Sequence, residues 1–202
     1  FPKSIRRKSH IIYNPIDNVF YENRYDGIRK NIVTTGRLVA QKNHKMLIRA
    51  FAEIVKYVPD NLIIYGDGEL RNELETYVKK LDLSERVLLP GTTKDVTQAI
   101  RKAKLFVLSS DYEGMPNSLM EAMALGVPCI STDCPCGAPR MLLKGKNLIP
   151  VGDDKALSEL MLKIIKDEAE LAKESEYVIS CAEQFKADKI FEEWKLILKN
   201  AI

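Results

Sequence analysis

From residue 31 onward, short apolar runs rich in β-branched residues alternate with stretches whose apolar positions recur every three or four residues. The runs are Ile32-Val33-Thr34-Thr35, Leu62-Ile63-Ile64-Tyr65, Val87-Leu88-Leu89, Leu105-Phe106-Val107-Leu108 and Val127-Pro128-Cys129-Ile130-Ser131. Each reads as a strand. Between the first two, Met46, Leu47, Ala50, Phe51, Ile54, Val55 and Val58 keep helical spacing and stop at Pro59, which predicts a helix on one sheet face. Further helices are expected at about 69–82, 95–103, 117–125 and 154–167, the last carrying a stripe from Ala156 to Ile165. Strands apolar along their whole length and separated by helices predict an α/β fold: a doubly wound, mostly parallel sheet with helices on both faces, because parallel strands need crossovers that place helices there. In such sheets ligands bind outside the carboxyl ends of the strands. The loops after residues 35, 65, 89, 108 and 131 are therefore the ones to inspect.

Each of those loops holds unusual chemistry. The first, Gly36-Arg37-Leu38-Val39-Ala40-Gln41-Lys42-Asn43, places Arg37 and Lys42 just before a helix, where a planar fork and a compact charge could clamp a diphosphate. Alone, the pattern equally fits a turn glycine and two solvated cations. The second, Gly66-Asp67-Gly68-Glu69, is either a site of close backbone approach or a tight turn. In the third, Gly91 and Thr92 offer free backbone groups and a hydroxyl to a base edge, and Asp95 reads as a helix cap. The fourth runs from Ser109 to Ala122 and carries Glu113 and Glu121, eight positions apart. A helix starting near Asn117 puts Glu121 about 6 Å along its axis, with Glu113 in the loop before it. Unpaired amides between them could receive an anion while the two carboxylates accept hydroxyls of sugars on either side. The plainer alternative is a surface charge and a carboxylate complementing a helix dipole.

Composition narrows the classes. The 202 residues are 46% hydrophobic and 29% charged, with 31 Lys and Arg against 28 Asp and Glu, the profile of a soluble globular domain with no electrostatic case for nucleic acid. The densest basic run, Lys3 to Lys8, reads as a solvated terminus, with anionic lipid as the other option. Cys129, Cys134, Cys136 and Cys181 lack zinc-ligand spacing and read as reduced thiols of a cytosolic protein. No stretch is long and apolar enough for a membrane span. The opening Phe1-Pro2-Lys3 reads as the start of an excised piece. A dinucleotide-dependent oxidoreductase is disfavoured, because only Gly36 stands where G-x-G-x-x-G is needed.

Taken in order, G-R-L-V-x-x-K-N, G-D-G-E-L, G-x-x-x-D and E-G-M-P-N-S-L-M-E-A-M-A-L-G-V-P-C-I-S-T-D resemble the C-terminal domain of the family-four retaining glycosyltransferases of GT-B fold, over about residues 11 to 153. The resemblance implies transfer of a hexose from a nucleotide diphosphate sugar with retention of configuration. It implies that Arg37, Lys42 and Glu113 are catalytic, the first two on the donor diphosphate and Glu113 on the sugar hydroxyls. It implies donor contacts from Gly36, Gly66, Gly91, Thr92, Gly114, Met115, Asn117, Ser118 and Leu119, chiefly through backbone amides, and a ribose contact from Glu121. No metal or other cofactor is expected, since cations and helix amides meet the leaving-group charge. UDP linked to galactose, N-acetylgalactosamine or N-acetylglucosamine is the expected donor, with a glycan or lipid-linked acceptor.

The implied organisation is a linker and leading strand over 1–30, a nucleotide-sugar-binding domain over 31–170 and a helical C-terminal tail over 171–202. An acceptor-binding N-terminal half is expected as partner, with peripheral contact at the inner face of the membrane. The tail residues Phe185, Phe191, Trp194, Leu196 and Leu198 either face that half or pack in this domain's own core. Arg140 stands where many relatives have Glu. A non-catalytic binding module on the same scaffold is the alternative reading.

Overall fold

The computed structural model describes residues 9–135 and 137–201; the basic run Lys3–Lys8 and Cys136 lie outside them. Six parallel strands form one sheet: β1 (Ile32–Thr35), β2 (Leu62–Tyr65), β3 (Val87–Gly91), β4 (Leu105–Leu108), β5 (Cys129–Thr132) and β6 (Leu148–Ile149), in the order β3-β2-β1-β4-β5-β6. The doubly wound fold expected from the apolar alternation is thus present. The helices are α1 (Asn18–Glu22), α2 (His44–Ile54), α3 (Arg71–Lys80), α4 (Val96–Arg101), α5 (Asn117–Ala124), α6 (Ala138–Leu142), α7 (Asp154–Ile165), α8 (Glu168–Ala182) and α9 (Ala187–Ala201). Side chains alternate across the sheet as the pleat requires. Ile32, Leu105 and Val107 join the core under α2, α3 and α7, whereas Val33, Phe106 and Leu108 join the core under α4, α5 and α8.

Local chemistry fixes where helices begin. Asn43, Asp95, Asp153 and Asp167 accept a backbone hydrogen bond at the starts of α2, α4, α7 and α8, satisfying amides that the helix leaves unpaired. The expected capping by Asp95 is realised, its carboxylate accepting from the Gln98 amide at 2.8 Å. Short elements are what the sequence reading passes over: β6 has two residues and α6 five, too few to show a period.

Two features of the expected organisation differ. The leading strand is reduced to a single bridge between Ile16 and Lys186, because Pro15 has no N–H to pair and Asp17 caps α1 by accepting from the Val19 amide. Second, a boundary after residue 170 falls inside α8, which is part of the domain. Its Val178, Cys181 and Ala182 are buried in the second core, Ser175 Oγ donates to the Gly126 carbonyl at 2.6 Å, and Tyr177 donates to the Leu143 carbonyl. Without α8 the outer side of α5, which itself covers β4 and β5, would lose its cover. Phe185 is fully buried and meets Tyr13 edge-on. Beyond it, α9 buries Ile190 but leaves Phe191, Trp194, Leu196 and Leu198 about half exposed or more, so of the five tail residues only Phe185 follows the expectation of core packing. Among the described residues, no helix is long and apolar enough to cross a membrane.

Candidate functional site

Because all strands run parallel, their carboxyl ends share one edge, and the loops that leave them are gathered there. The loop after β1 closes with a 3-10 turn, Ala40–Lys42, followed by Asn43 in a left-handed conformation at φ 45°, which Asn tolerates better than most residues. Asn43 does two jobs. Its Oδ1 accepts from the Met46 amide while its Nδ2 donates to Asp111 Oδ1 at 2.6 Å. Beside it, the Asp111 amide donates to the Gln41 carbonyl (2.8 Å), Gln41 Nε2 to the Tyr112 carbonyl (2.7 Å) and Ser109 Oγ to the Lys42 carbonyl (2.8 Å). The loops after β1 and β4 are therefore laced together.

That lacing delivers Lys42 to Glu113. Lys42 Nζ donates to Glu113 Oε1 at 2.6 Å, with the side chains only 17% and 7% exposed. Ser110 Oγ donates to the same oxygen at 2.6 Å, and Thr132 holds the Ser110 carbonyl. Glu113 Oε2 accepts no hydrogen bond from the described residues. Arg37 is exposed and its side chain has no partner among them. Cys134 is buried nearby; burial first, then the Glu113 carboxylate, push its thiol above the usual range, so it stays protonated.

Glu113 leads into α5, whose cap residue is Pro116 and whose start has no side-chain cap. The Leu119 and Met120 amides donate to the Pro116 carbonyl. Leu119 thus has its amide occupied and its side chain in the core, which removes it from the expected cradle. The backbone N–H groups of Gly114, Met115, Asn117 and Ser118 have no acceptor among the described residues, and such groups attract anions. A Cβ at Gly114 would meet nothing within 4 Å. Nothing in the fold asks for glycine there.

The glycines of the second loop answer to the fold itself. Gly66 sits at φ +137°, and a Cβ there would lie 1.8 Å from the Gly36 carbonyl oxygen; at Gly68 one would lie 2.5 Å from that of Leu38. Gly36 donates to the Tyr65 carbonyl and Gly66 to that of Gly91, tying the first three loops together. Arg71 completes the tie, donating to the Gly66 and Leu89 carbonyls and pairing with Asp67. Gly91 ends β3 at φ +92°, and Thr92 beyond it is exposed.

Glu121 lies one turn into α5 and borders a cavity of about 170 Å³ with Ile16, Asp17, Phe20 and Asn117. Burial raises its carboxyl above the usual range. Asn14 Nδ2 donates to Asn117 Oδ1 at 3.2 Å, so the segment leading into the domain walls this side of the cleft. A larger cavity of about 920 Å³ opens at the opposite edge, by Arg29, Asn31, Asp60 and Lys104. Its polar groups serve the fold: Asp60 Oδ1 holds the Asn31 amide, and Arg29 donates to the Leu125 and Gly126 carbonyls.

His44, unremarked in the sequence, starts α2 behind the cleft. It is 3% exposed, its Nε2 donates to the Arg37 carbonyl at 3.3 Å, and its Nδ1 has no partner among the described residues. Burial, offset in part by that carbonyl and reinforced by Lys42, takes its pKa from 6.5 down to about 4. The native state then refuses a proton that the unfolded chain accepts, so this contribution is intact above pH 6.5 and is lost as pH falls toward 4. The loss approaches about 3 kcal/mol. His44→Gln, which can keep the bond to Arg37, should flatten the decline in unfolding free energy between pH 7 and 4.5. Equal slopes for the two proteins would refute this account.

Asn43, Gln41, Ser109, Ser110 and Asn14 were not marked as site residues by the sequence. Only Asn43 carried a signal, as a capping residue before a helical stripe.

A six-stranded, doubly wound parallel sheet whose carboxyl-end loops bring Lys42 and Glu113 into contact, directly before the uncapped start of α5, defines a Rossmann-like domain. Within that class, the chain belongs to the family described as glycosyl transferases group 1, whose model matches residues 17–184. It is similar to an uncharacterized glycosyltransferase of Methanocaldococcus jannaschii, at 31% identity over 99% of this chain and 60% of that protein. Among solved structures it is similar to the pneumococcal O-GlcNAc transferase GtfA in complex with UDP and GlcNAc, at 25% identity and a TM-score of 0.78 over 88% of this chain and 37% of that one. S. aureus TarM, solved in complex with UDP, shares the fold with a TM-score of 0.82 at 21% identity, over 96% of this chain and 41% of that one. The chain thus spans less than two thirds of the length of each of these relatives.

Proposed function

We propose that this chain is the donor-binding domain of a retaining hexosyltransferase, and that it holds a UDP-linked sugar between the loops after β1 and β4. The observation that carries the reading is the contact of Lys42 with the buried carboxylate of Glu113, directly before the uncapped start of α5, where the amides of Gly114, Met115, Asn117 and Ser118 have no acceptor among the described residues. Arg37 and Lys42 meet the diphosphate and steady the departing nucleotide; Glu113 accepts sugar hydroxyls and Glu121 those of the ribose. Gly91 and Thr92 face the base. Charge that develops on the diphosphate falls on these fixed cations and dipoles, so the proposal includes binding without a metal. UDP as carrier is supported by its presence in the GtfA and TarM structures.

The acceptor is proposed to bind on an N-terminal half that closes over this edge, which fits the greater length of the relatives. A cytoplasmic setting, at the inner membrane face, belongs to the same proposal and is supported by the buried free thiols Cys129, Cys134 and Cys181.

A thermal-shift titration with UDP, GDP, ADP and their common sugar conjugates, run with chelator, tests the reading. At a hundredfold excess over the dissociation constant, the matching nucleotide should stabilise by about 2.7 kcal/mol, a rise of roughly 5–10 °C. Arg37→Ala should abolish the rise without lowering the unliganded midpoint. A flat response to every nucleotide would defeat the proposal, and a response that the chelator removes would defeat its metal-free part.

A further inference from the structure

Lys42 is not free in this structure. Its ammonium is held by Glu113, in a pair whose side chains are 17% and 7% exposed, and Ser110 holds the same carboxylate oxygen in place. Arg37 is exposed, and its side chain has no partner among the described residues. Of these two cations an incoming diphosphate therefore meets Lys42 already neutralised, while Arg37 is unpaired among the described residues.

Lys42 carries three N–H donors and could hold phosphate and carboxylate together, but a phosphate oxygen in contact with Nζ then lies within about 5 Å of the Glu113 carboxylate, where like charges repel in a poorly hydrated cleft. Turning Glu113 away leaves a buried carboxylate short of a donor, which is costly. A sugar on the diphosphate resolves both difficulties. Its hydroxyls supply the donors that Glu113 loses, and its ester link removes the terminal phosphate's second ionisation, which in a free phosphate titrates near pH 6. The bare nucleoside diphosphate brings the extra negative charge and no hydroxyls.

We propose that the Lys42–Glu113 pair makes this cleft discriminate a sugar-bearing nucleoside diphosphate from the bare one: diphosphate displaces Glu113 from Lys42, and only a sugar re-satisfies Glu113. Glu113 is then a specificity-determining residue that weakens the hold on the leaving nucleotide as well as a contact to the sugar. The inference rests on the donor-site reading above. It adds that a carboxylate of the site works against one of its ligands.

Calorimetric titration of this chain with UDP and with UDP-N-acetylglucosamine, for the native protein and for Glu113→Gln, tests it. Glu113→Gln should bind UDP about tenfold more tightly than the native protein and UDP-N-acetylglucosamine no more tightly, reversing the order of preference. Glu113→Asp, which keeps the charge, should show no gain for UDP and serves as the decisive comparison if the amide variant folds poorly, since a gain there would overturn the charge argument. Unchanged or weaker UDP binding by Glu113→Gln overturns the proposal while leaving the donor site standing, provided that the native protein binds UDP and Arg37→Ala does not. Failure of the native protein to bind either nucleotide removes both readings.

Discussion

Gly66→Ala should cost at least ~4 kcal/mol and leave little folded protein at 37 °C, a larger loss than most single substitutions produce. The added methyl would lie 1.8 Å from the Gly36 carbonyl oxygen, which is backbone and cannot swing aside, and φ of +137° is itself a conformation that side chains avoid. Relief would mean parting the loops after β1 and β2. That would break the bonds from Gly36 to the Tyr65 carbonyl, from Gly66 to that of Gly91 and from Leu38 to that of Asp67. Gly145→Ala is the control. It also has positive φ, at +80°, but a Cβ there meets nothing within 4 Å, so only the conformational cost of roughly 1–2 kcal/mol applies. Urea unfolding of both variants decides the matter, and a Gly66→Ala midpoint near that of the control would show that the loops yield more easily than their packing indicates.

The second large effect concerns charge. Lys42→Ala strands the Glu113 carboxylate, 7% exposed, with Ser110 as its remaining donor among the described residues. Removing one member of a buried pair costs about 3–5 kcal/mol, which for a domain of this size lowers the midpoint by roughly 10 °C. Arg37→Ala should change stability by less than about 0.5 kcal/mol, because its exposed side chain touches no described partner. Adding Glu113→Gln to Lys42→Ala should restore most of the loss, since two substitutions within one pair are not additive. Scanning calorimetry of the four proteins without ligand reads this directly. A double variant as unstable as the sum of the singles would show that the pair contributes through packing and not through its charges.

The sheet and its covering helices were legible because β1, β2, β4 and β5 are apolar on both faces and α2 and α7 carry clean stripes; those patterns are local and periodic. The glycines mark where local reading ends. Gly66 and Gly114 look alike in the sequence, each in a loop beside an acidic residue, yet the first is demanded by a carbonyl 30 positions earlier and the second by nothing in the fold. Likewise Lys42 and Glu113 could each be marked as charged loop residues, but their contact spans 71 positions and is set by Asn43, Gln41 and Ser109, whose side chains carry no signature of that task. His44 is hidden for a related reason: a lone histidine opening a helical stripe has the pattern of a solvated polar residue until burial is known. The boundary placed at residue 170 falls inside α8 because the place of that helix is set by its packing on α5 and by its bonds to Gly126 and Leu143, partners that no window of sequence displays.

The stitches between the loops after β1 and β4 bear on how the cleft meets a ligand. Asn43 to Asp111, Gln41 to Tyr112, the Asp111 amide to Gln41 and Ser109 to Lys42 form a seam made wholly of bonds within the chain. The conformational entropy of shaping this wall is therefore lost during folding and is not charged again at association. On the donor-site proposal, cutting one stitch would loosen the wall and surface as weaker affinity with a larger entropic penalty, even where every contacting side chain is intact.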